Sequence, residues 1–269
     1  MKKLATALVS AAAIMTMSTT AFAAENPAEV FDRVMEKNNT IQSAEIQSGV
    51  HSVILAKDVI PDGQMKVDMA MHAEMDMKDT TDLKYLAQVA SSILGQDSYS
   101  QVFYTDGYYY VDANGVKLKY PMPLEQIISS VQTGVNTSNM ESSYMKGISL
   151  NEVNGKRVLA YEANPKKLNK NVKEALGTVM NTLGTDINLD MNIQEMKGAY
   201  VLDDNDYIIY MTNYIVYNME VLDQPMTCIT LMETEVQNPG EPVVVTLPST
   251  DGYEDLIGLY DGVIESEVE

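Results

Sequence analysis

Tryptophan is absent from the 269 residues, and cysteine occurs once, at Cys228. A single cysteine excludes an internal disulfide and a cysteine-cluster metal site. Without tryptophan the usual stacking platform of a sugar site is missing. Histidine occurs twice, at His51 and His72. No Gly-x-Ser-x-Gly elbow accompanies them, so a Ser-His-Asp hydrolase is not expected. Neither a phosphate loop nor a dinucleotide fingerprint is present. Basic residues are scarce, 18 against 38 acidic ones, for a net charge of −20. That balance disfavours nucleic acids and anionic lipid head groups as partners. Long apolar runs are also missing, except at the very start.

That start has the form of an export signal. Lys2 and Lys3 precede an apolar stretch from Leu4 to Met17, and Ala21-Phe22-Ala23 supplies small residues for cleavage. The run is too short for a stable span. Cleavage after Ala23 would leave 246 residues (269 less 23), without Lys2 and Lys3, at a net charge of −22. No cysteine stands at the cleavage point, so no lipid anchor is expected there, and the mature chain is expected outside the cell or in the envelope exterior. Its length allows one large domain.

What the sequence has in abundance is methionine and tyrosine, 19 and 16 residues. The methionines concentrate in Met65–Met77, where Met65, Val67, Met69, Met71, Ala73, Met75 and Met77 alternate with Lys66, Asp68, Ala70, His72, Glu74 and Asp76. Period two over this length predicts a strand of about 40 Å with one apolar and one polar face. Methionine is unbranched and soft, suited to covering irregular apolar shapes.

Along the chain, Asn26 and Pro27 open a predicted helix to about Asn39, with Phe31, Val34 and Met35 on one stripe. A strand over 44–54 and a Pro61-Asp62-Gly63 turn lead to the methionine strand. Leu83, Leu86, Val89, Ala90 and Ile93 have helical spacing and predict a helix over 82–94. Asp106-Gly107 and Asn114-Gly115 then punctuate strands over 101–105, 108–112 and 116–120. A helix over 124–133, a Ser/Asn-rich loop over 134–143, and a hairpin around Asn154-Gly155 follow. A long helix is predicted over 164–183. Strands are predicted over 187–193, 199–202, 207–221, 226–236 and 243–247. The segment 251–269 is an acidic tail with no basic residue.

Several chemistries can be weighed on these residues. Met69, Met71 and His72 invite a soft-metal reading, but alternation sends His72 to the opposite face from the methionines. Asp203-Asp204-Asn205-Asp206 lacks EF-hand spacing and reads as a solvated turn. Tyr108-Tyr109-Tyr110 places rings on both faces of its strand, as filler or as pocket lining. Cys228 falls at an apolar strand position and reads as a buried, inert thiol. No cofactor, no metal and no catalytic residue is expected, and the chain is not expected to be an enzyme.

The order of export signal, short helix, long amphipathic hairpins, helices between strand blocks, and a closing Val243-Val244-Val245-Thr246-Leu247-Pro248 resembles the LolA/LppX-like superfamily of exported lipid and lipoprotein carriers. The absence of a lipobox cysteine departs from many Gram-positive relatives. The strand pattern itself predicts an α+β domain over 24–250: a strongly curved antiparallel sheet of about 10–11 strands with helices in its hollow. The resemblance implies an unclosed β-half-barrel whose concave face holds acyl chains. On this reading the partner is a hydrophobic small molecule or lipid acyl chain, with no nucleic acid and no stable membrane anchor. The expected lining is Val67, Met69, Met71, Met75, Leu189, Met191, Ile209, Met211 and Ile215, with Ile127 and Val131 from a covering helix. The alternative is an envelope interaction or structural protein whose core is filled by its own helices.

Overall fold

Alternating apolar residues between two-residue turns dominate the chain, and the fold that results is mostly one antiparallel sheet. The computed structural model describes residues 25–56, 60, 62–79, 83–123, 140–170, 191–221 and 224–256. Helix α1 is Pro27–Asn38. The strands are β1 Ser43–Leu55, β2 Gln64–Asp76, β3 Lys84–Ile93, β4 Gln96–Thr105, β5 Tyr108–Ala113, β6 Val116–Pro121, β7 Met145–Val153, β8 Lys156–Ala163, β9 Met191–Leu202, β10 Ile208–Val221, β11 Gln224–Gln237 and β12 Glu254–Asp255. They form a single twelve-stranded sheet in the order β12-β6-β5-β4-β3-β2-β1-β11-β10-β9-β8-β7, which does not close on itself. The two-residue β12 lies parallel to β6. The chain divides into two compact units. Unit 1 is Met1–Asn38, Gly49–Asp68 and Ser138–Glu235; unit 2 is Asn39–Ser48, Met69–Thr137 and Val236–Glu269.

The hairpin signals are met at the backbone. Asp106-Gly107, Asn114-Gly115 and Asn154-Gly155 all take positive φ at both positions, the type I′ geometry whose twist matches the flanking strands. The helix expected over 82–94 is instead strand β3. Leu94-Gly95, with φ of 53° and 77°, makes a further I′ turn, and β3 pairs with β4 from Tyr85↔Tyr104 to Ile93↔Gln96. The helical spacing is ambiguous because its apolar residues serve two faces of a strand. Leu83 and Ala87 join one buried cluster, and Leu86 joins another with Phe103 and Tyr110. The strand expected over 243–247 is also corrected. Val243, Val245 and Leu247 alternate onto the Phe103–Tyr110–Tyr253 cluster, but the segment makes no strand pairing among the described residues. Tyr253, early in the acidic tail, is buried there, edge-on to Phe103 and Tyr110.

In unit 1, helix α1 lies against the sheet through Val30, Phe31, Val34 and Met35, which pack on Leu159, Tyr161, Tyr200, Leu202 and Ile208. Its start is capped by Asn26, whose Oδ1 accepts from the Ala28 N–H at 3.1 Å. Its end is stitched to β10: Asn38 Oδ1 accepts from Ile208 N at 2.9 Å. The expected long helix after 163 begins at 165 and is described to 170. Asn164 caps it, its Oδ1 accepting from Lys166 N at 3.1 Å. Asn169 completes the start of β9, whose pairing with β8 begins only at Lys197. Its Oδ1 accepts from Ile193 N at 2.6 Å and its Nδ2 donates to Ile193 O at 2.9 Å.

The turn 203–206 joins β9 to β10 and ties α1 down. Asp203 Oδ1 accepts from Asn205 N and Tyr207 N, both at 2.8 Å. Asp206 meets Arg33 at 2.9 Å and Arg157 at 2.5 Å. Burial pushes the Asp206 carboxyl up, but hydrogen bonds and charge from the two arginines outweigh it and hold the pKa below its usual value. A depressed carboxylate pKa adds stability above the unfolded value, and that stability fades as pH falls through the folded one. Asp206→Asn should therefore cost about 1–2 kcal/mol at pH 7 and progressively less as pH falls below the ordinary carboxylate range, read from urea midpoints along the pH series.

Candidate functional site

Both histidines and the single cysteine lie on described strands. His51 Nδ1 lies 2.7 Å from Asp68 Oδ1, and His72 Nε2 lies 3.2 Å from Glu45 Oε1, both at the exposed or half-buried surface. No group of three or more His, Cys, Asp or Glu able to hold a metal occurs among the described residues. Cys228 is buried, and its Sγ lies 3.7 Å from Met219 Sδ. Burial raises the thiol pKa against a weaker opposing hydrogen bond from Tyr217, which disfavours the nucleophilic thiolate. What the sheet builds instead is a pair of apolar faces, one in each unit.

In unit 2 the face begins on the methionine strand. Ala73, Met75 and Met77 are buried with Ala44, Ile46, Leu83, Ala87, Tyr104 and Val236, while Met71, Tyr85, Val102 and Tyr109 pack against them half-buried. The strand is thus apolar on one side, as its alternation predicts, and its buried residues lie toward its C-terminal end. Met75 is 1% exposed and Met69 39%. The same face continues across β3 to β6 without a bulge. Tyr85 pairs with Tyr104, Tyr104 with Tyr109, and Tyr109 with Tyr120, so four tyrosines form a row across four strands. The next row is Ala87, Val102, Val111 and Leu118. None of the residues alternating on this side of β3–β6 is charged. Lys84, Asp97, Asp112, Lys117 and Lys119 all alternate to the other side. There Lys119 lies over the Tyr108 ring and Lys117 over Tyr253. Within Tyr108-Tyr109-Tyr110, the middle ring therefore belongs to the tyrosine row, and Tyr110 stacks on Phe103 with centroids 4.6 Å apart.

In unit 1 two bulges in the β9–β10 pairing decide which side chains share a face. One lies between Ile208 and Tyr210 of β10, and the other between Val216 and Tyr217 in their pairing with β9. Each adds a residue on one strand and inverts its alternation beyond that point. Ile208 rather than Ile209 therefore joins the buried cluster, together with Met211 further on. On β9 the inversion brings Ile193 and Met196 to one side, where both meet Ile215 and Tyr217. Past these, Met191 pairs with Met219 and Met219 with Met226, a row of three methionines across β9, β10 and β11.

The expected lining residues are distributed over both units. Met69, Met71 and Met75 stand in unit 2, and Val67, Met191, Ile209, Met211 and Ile215 in unit 1. Ile127, Val131 and Leu189 lie outside the described residues. The tyrosine row is not part of the expected lining. Its signal is nevertheless in the sequence, since two-residue turns at 106–107 and 114–115 fix the pairing of Tyr104, Tyr109 and Tyr120.

Comparison with known proteins adds a family. The sequence model of a family described as "Family of unknown function (DUF6612)" matches residues 26–248. No curated protein matches the chain. Among solved structures, LprF from Mycobacterium bovis is 10% identical at a TM-score of 0.35, over 83% of this chain and 97% of that one. A beta-barrel-like protein of a domain of unknown function, DUF1849, from Brucella abortus is 12% identical at a TM-score of 0.24, over 74% of this chain and 100% of that one. Likenesses this distant decide neither the fold nor a ligand.

Proposed function

We propose that the chain, which belongs to this family of unknown function, is an exported binding protein without catalytic activity. On this reading its first 23 residues are removed, and its sheet forms the wall of an open half-barrel that holds a lipid or another hydrophobic ligand under covering helices. The observation that carries the proposal is the uncharged methionine–tyrosine face of unit 2, which runs from a buried core to half-buried side chains at its margin. Sequestering an acyl chain there would contribute about 0.8 kcal/mol per CH₂. Methionine's freedom to repack favours broad specificity for chain shape.

One observation favours a second reading, a structural or interaction protein of the envelope with a self-filled core. Ala73, Met75 and Met77 are already packed among the protein's own side chains. The two readings separate on Met71, which lies at the margin of that cluster, and Met75, which lies within it. Met75→Asp should unfold unit 2 under either reading. Under the binding reading, Met71→Asp keeps the wild-type far-UV spectrum and weakens a fluorescent fatty-acid probe by at least about tenfold, the loss of roughly 1.4 kcal/mol. Lipid extraction and native mass spectrometry of the purified mature protein would show a co-purifying amphiphile. A protein that carries no lipid, binds no probe and unfolds with either substitution is the structural one.

A further inference from the structure

The tyrosine row has two kinds of member. Tyr104 is committed, its hydroxyl donating to Met122 O at 3.3 Å. The phenols of Tyr85, Tyr109 and Tyr120 have no hydrogen-bond partner among the described residues, although all three are half-buried. None of these hydroxyl oxygens is among the fully buried unpartnered side-chain atoms, so each is open to water or to a ligand. Tyr109 and Tyr120 are neighbours, with ring centroids 5.5 Å apart, and Tyr85 stands in the same row with Tyr104 between it and Tyr109. Burial raises the Tyr109 pKa, and Tyr85 and Tyr120 raise it further. Each phenol therefore stays protonated and able to donate at physiological pH.

The surroundings restrict what could accept those donors. The side of β3–β6 that carries the row holds no lysine or arginine, and the basic residues of these strands alternate to the opposite side. A carboxylate or phosphate placed there would lose hydration with no countercharge to offset it. An uncharged oxygen acceptor meets no such cost. The apolar neighbours on the same face, Met71 and Val102, offer contact for a hydrocarbon chain.

We infer that Tyr85, Tyr109 and Tyr120 form the polar end of a ligand site in unit 2, donating hydrogen bonds to the ester and hydroxyl oxygens of an amphiphile with an uncharged head, of the acylglycerol class. This rests on the binding reading above and adds the head group that the site selects.

The test is displacement of Nile red, an uncharged dye, from the purified mature protein at pH 8 by 1-monooleoylglycerol or by oleate. The expected result is that the glycerol ester displaces the dye at least about tenfold more potently than the anion of the same chain length. Tyr109→Phe and Tyr120→Phe keep their rings and packing. Each should weaken monooleoylglycerol about 3- to 10-fold, as expected for one lost hydrogen bond, while leaving Nile red and oleate within twofold of wild type. Equal potency of the two lipids, or no effect of either substitution on the ester, overturns this inference and leaves hydrophobic binding intact. Failure of the wild-type protein to bind Nile red or either lipid overturns the binding reading itself, and this inference with it.

Discussion

Gly198→Ala is expected to lower the stability of unit 1 by about 3 kcal/mol or more, moving its urea midpoint down by roughly 1–2 M. Gly198 lies on β9 directly between Tyr161 of β8 and Asn213 of β10. A Cβ there would stand 2.5 Å from Asn213 Oδ1, 2.5 Å from Thr212 O and 2.8 Å from the Tyr161 hydroxyl. Across that gap the Tyr161 hydroxyl donates to Asn213 Oδ1 in a buried hydrogen bond. The added methyl must therefore push apart a satisfied polar pair inside an apolar cluster and also meet a backbone carbonyl that cannot rotate away. The backbone of Gly198 is ordinary strand, so alanine's better strand behaviour would otherwise favour the variant by several tenths of a kcal/mol. Tyr161→Phe in the same chain removes one of the three obstacles but not Thr212 O, so the double variant should recover only part of the loss. A Gly198→Ala protein with the wild-type midpoint would show that β8, β9 and β10 do not pack in this register.

How much of the fold is legible in the sequence depends on where alternation runs unbroken. The methionine strand, α1 and the hairpins at 106–107, 114–115 and 154–155 are legible because local chemistry is decisive there. Asn26 caps, Pro27 starts, and Asp-Gly or Asn-Gly turns fix register without help from the rest of the chain. Residues 82–94 mislead because Leu83, Leu86, Val89, Ala90 and Ile93 fit a helical stripe as well as the two faces of β3, and only pairing with β4 settles the choice. The same ambiguity hides the tyrosine row, since Tyr85 joins Tyr104 only when both are in strands. The two bulges are not legible at all. No residue in 208–210 or 193–195 marks the extra position, yet each inverts the alternation beyond it, and the first exchanges Ile209 for Ile208 at the buried cluster. The alternation of Val243, Val245 and Leu247 does report one-sided packing, but not the sheet pairing that usually accompanies it.

Phe31→Ala should be nearly as damaging as the change at Gly198, and it bears on function as well as on stability. Phe31 is fully buried. It meets Tyr161 edge-on with centroids 5.7 Å apart and Tyr200 at 6.1 Å, and those two rings are themselves 5.2 Å apart. Truncation leaves a ring-sized hole beneath α1 that the remaining side chains cannot close, at a cost of about 3–5 kcal/mol. Polar ties keep the helix in place around that hole. Arg33 and Asn38 hold it to the 203–208 segment, and Asp32 accepts from Ser142 N at 2.7 Å and Ser142 Oγ at 2.6 Å. The expected protein is therefore folded but less stable, with its urea midpoint lowered and its affinity for Nile red within twofold of wild type. The opposite outcome has a definite meaning. A variant with an unchanged midpoint and several-fold stronger dye uptake would make α1 a detachable cover. The ligand face would then lie beneath it, on Leu159, Tyr200 and Met211 of unit 1. The interlocked rings of Phe31, Tyr161 and Tyr200 argue for the first result, because a cover that must open repeatedly would not be anchored by a completely buried aromatic side chain.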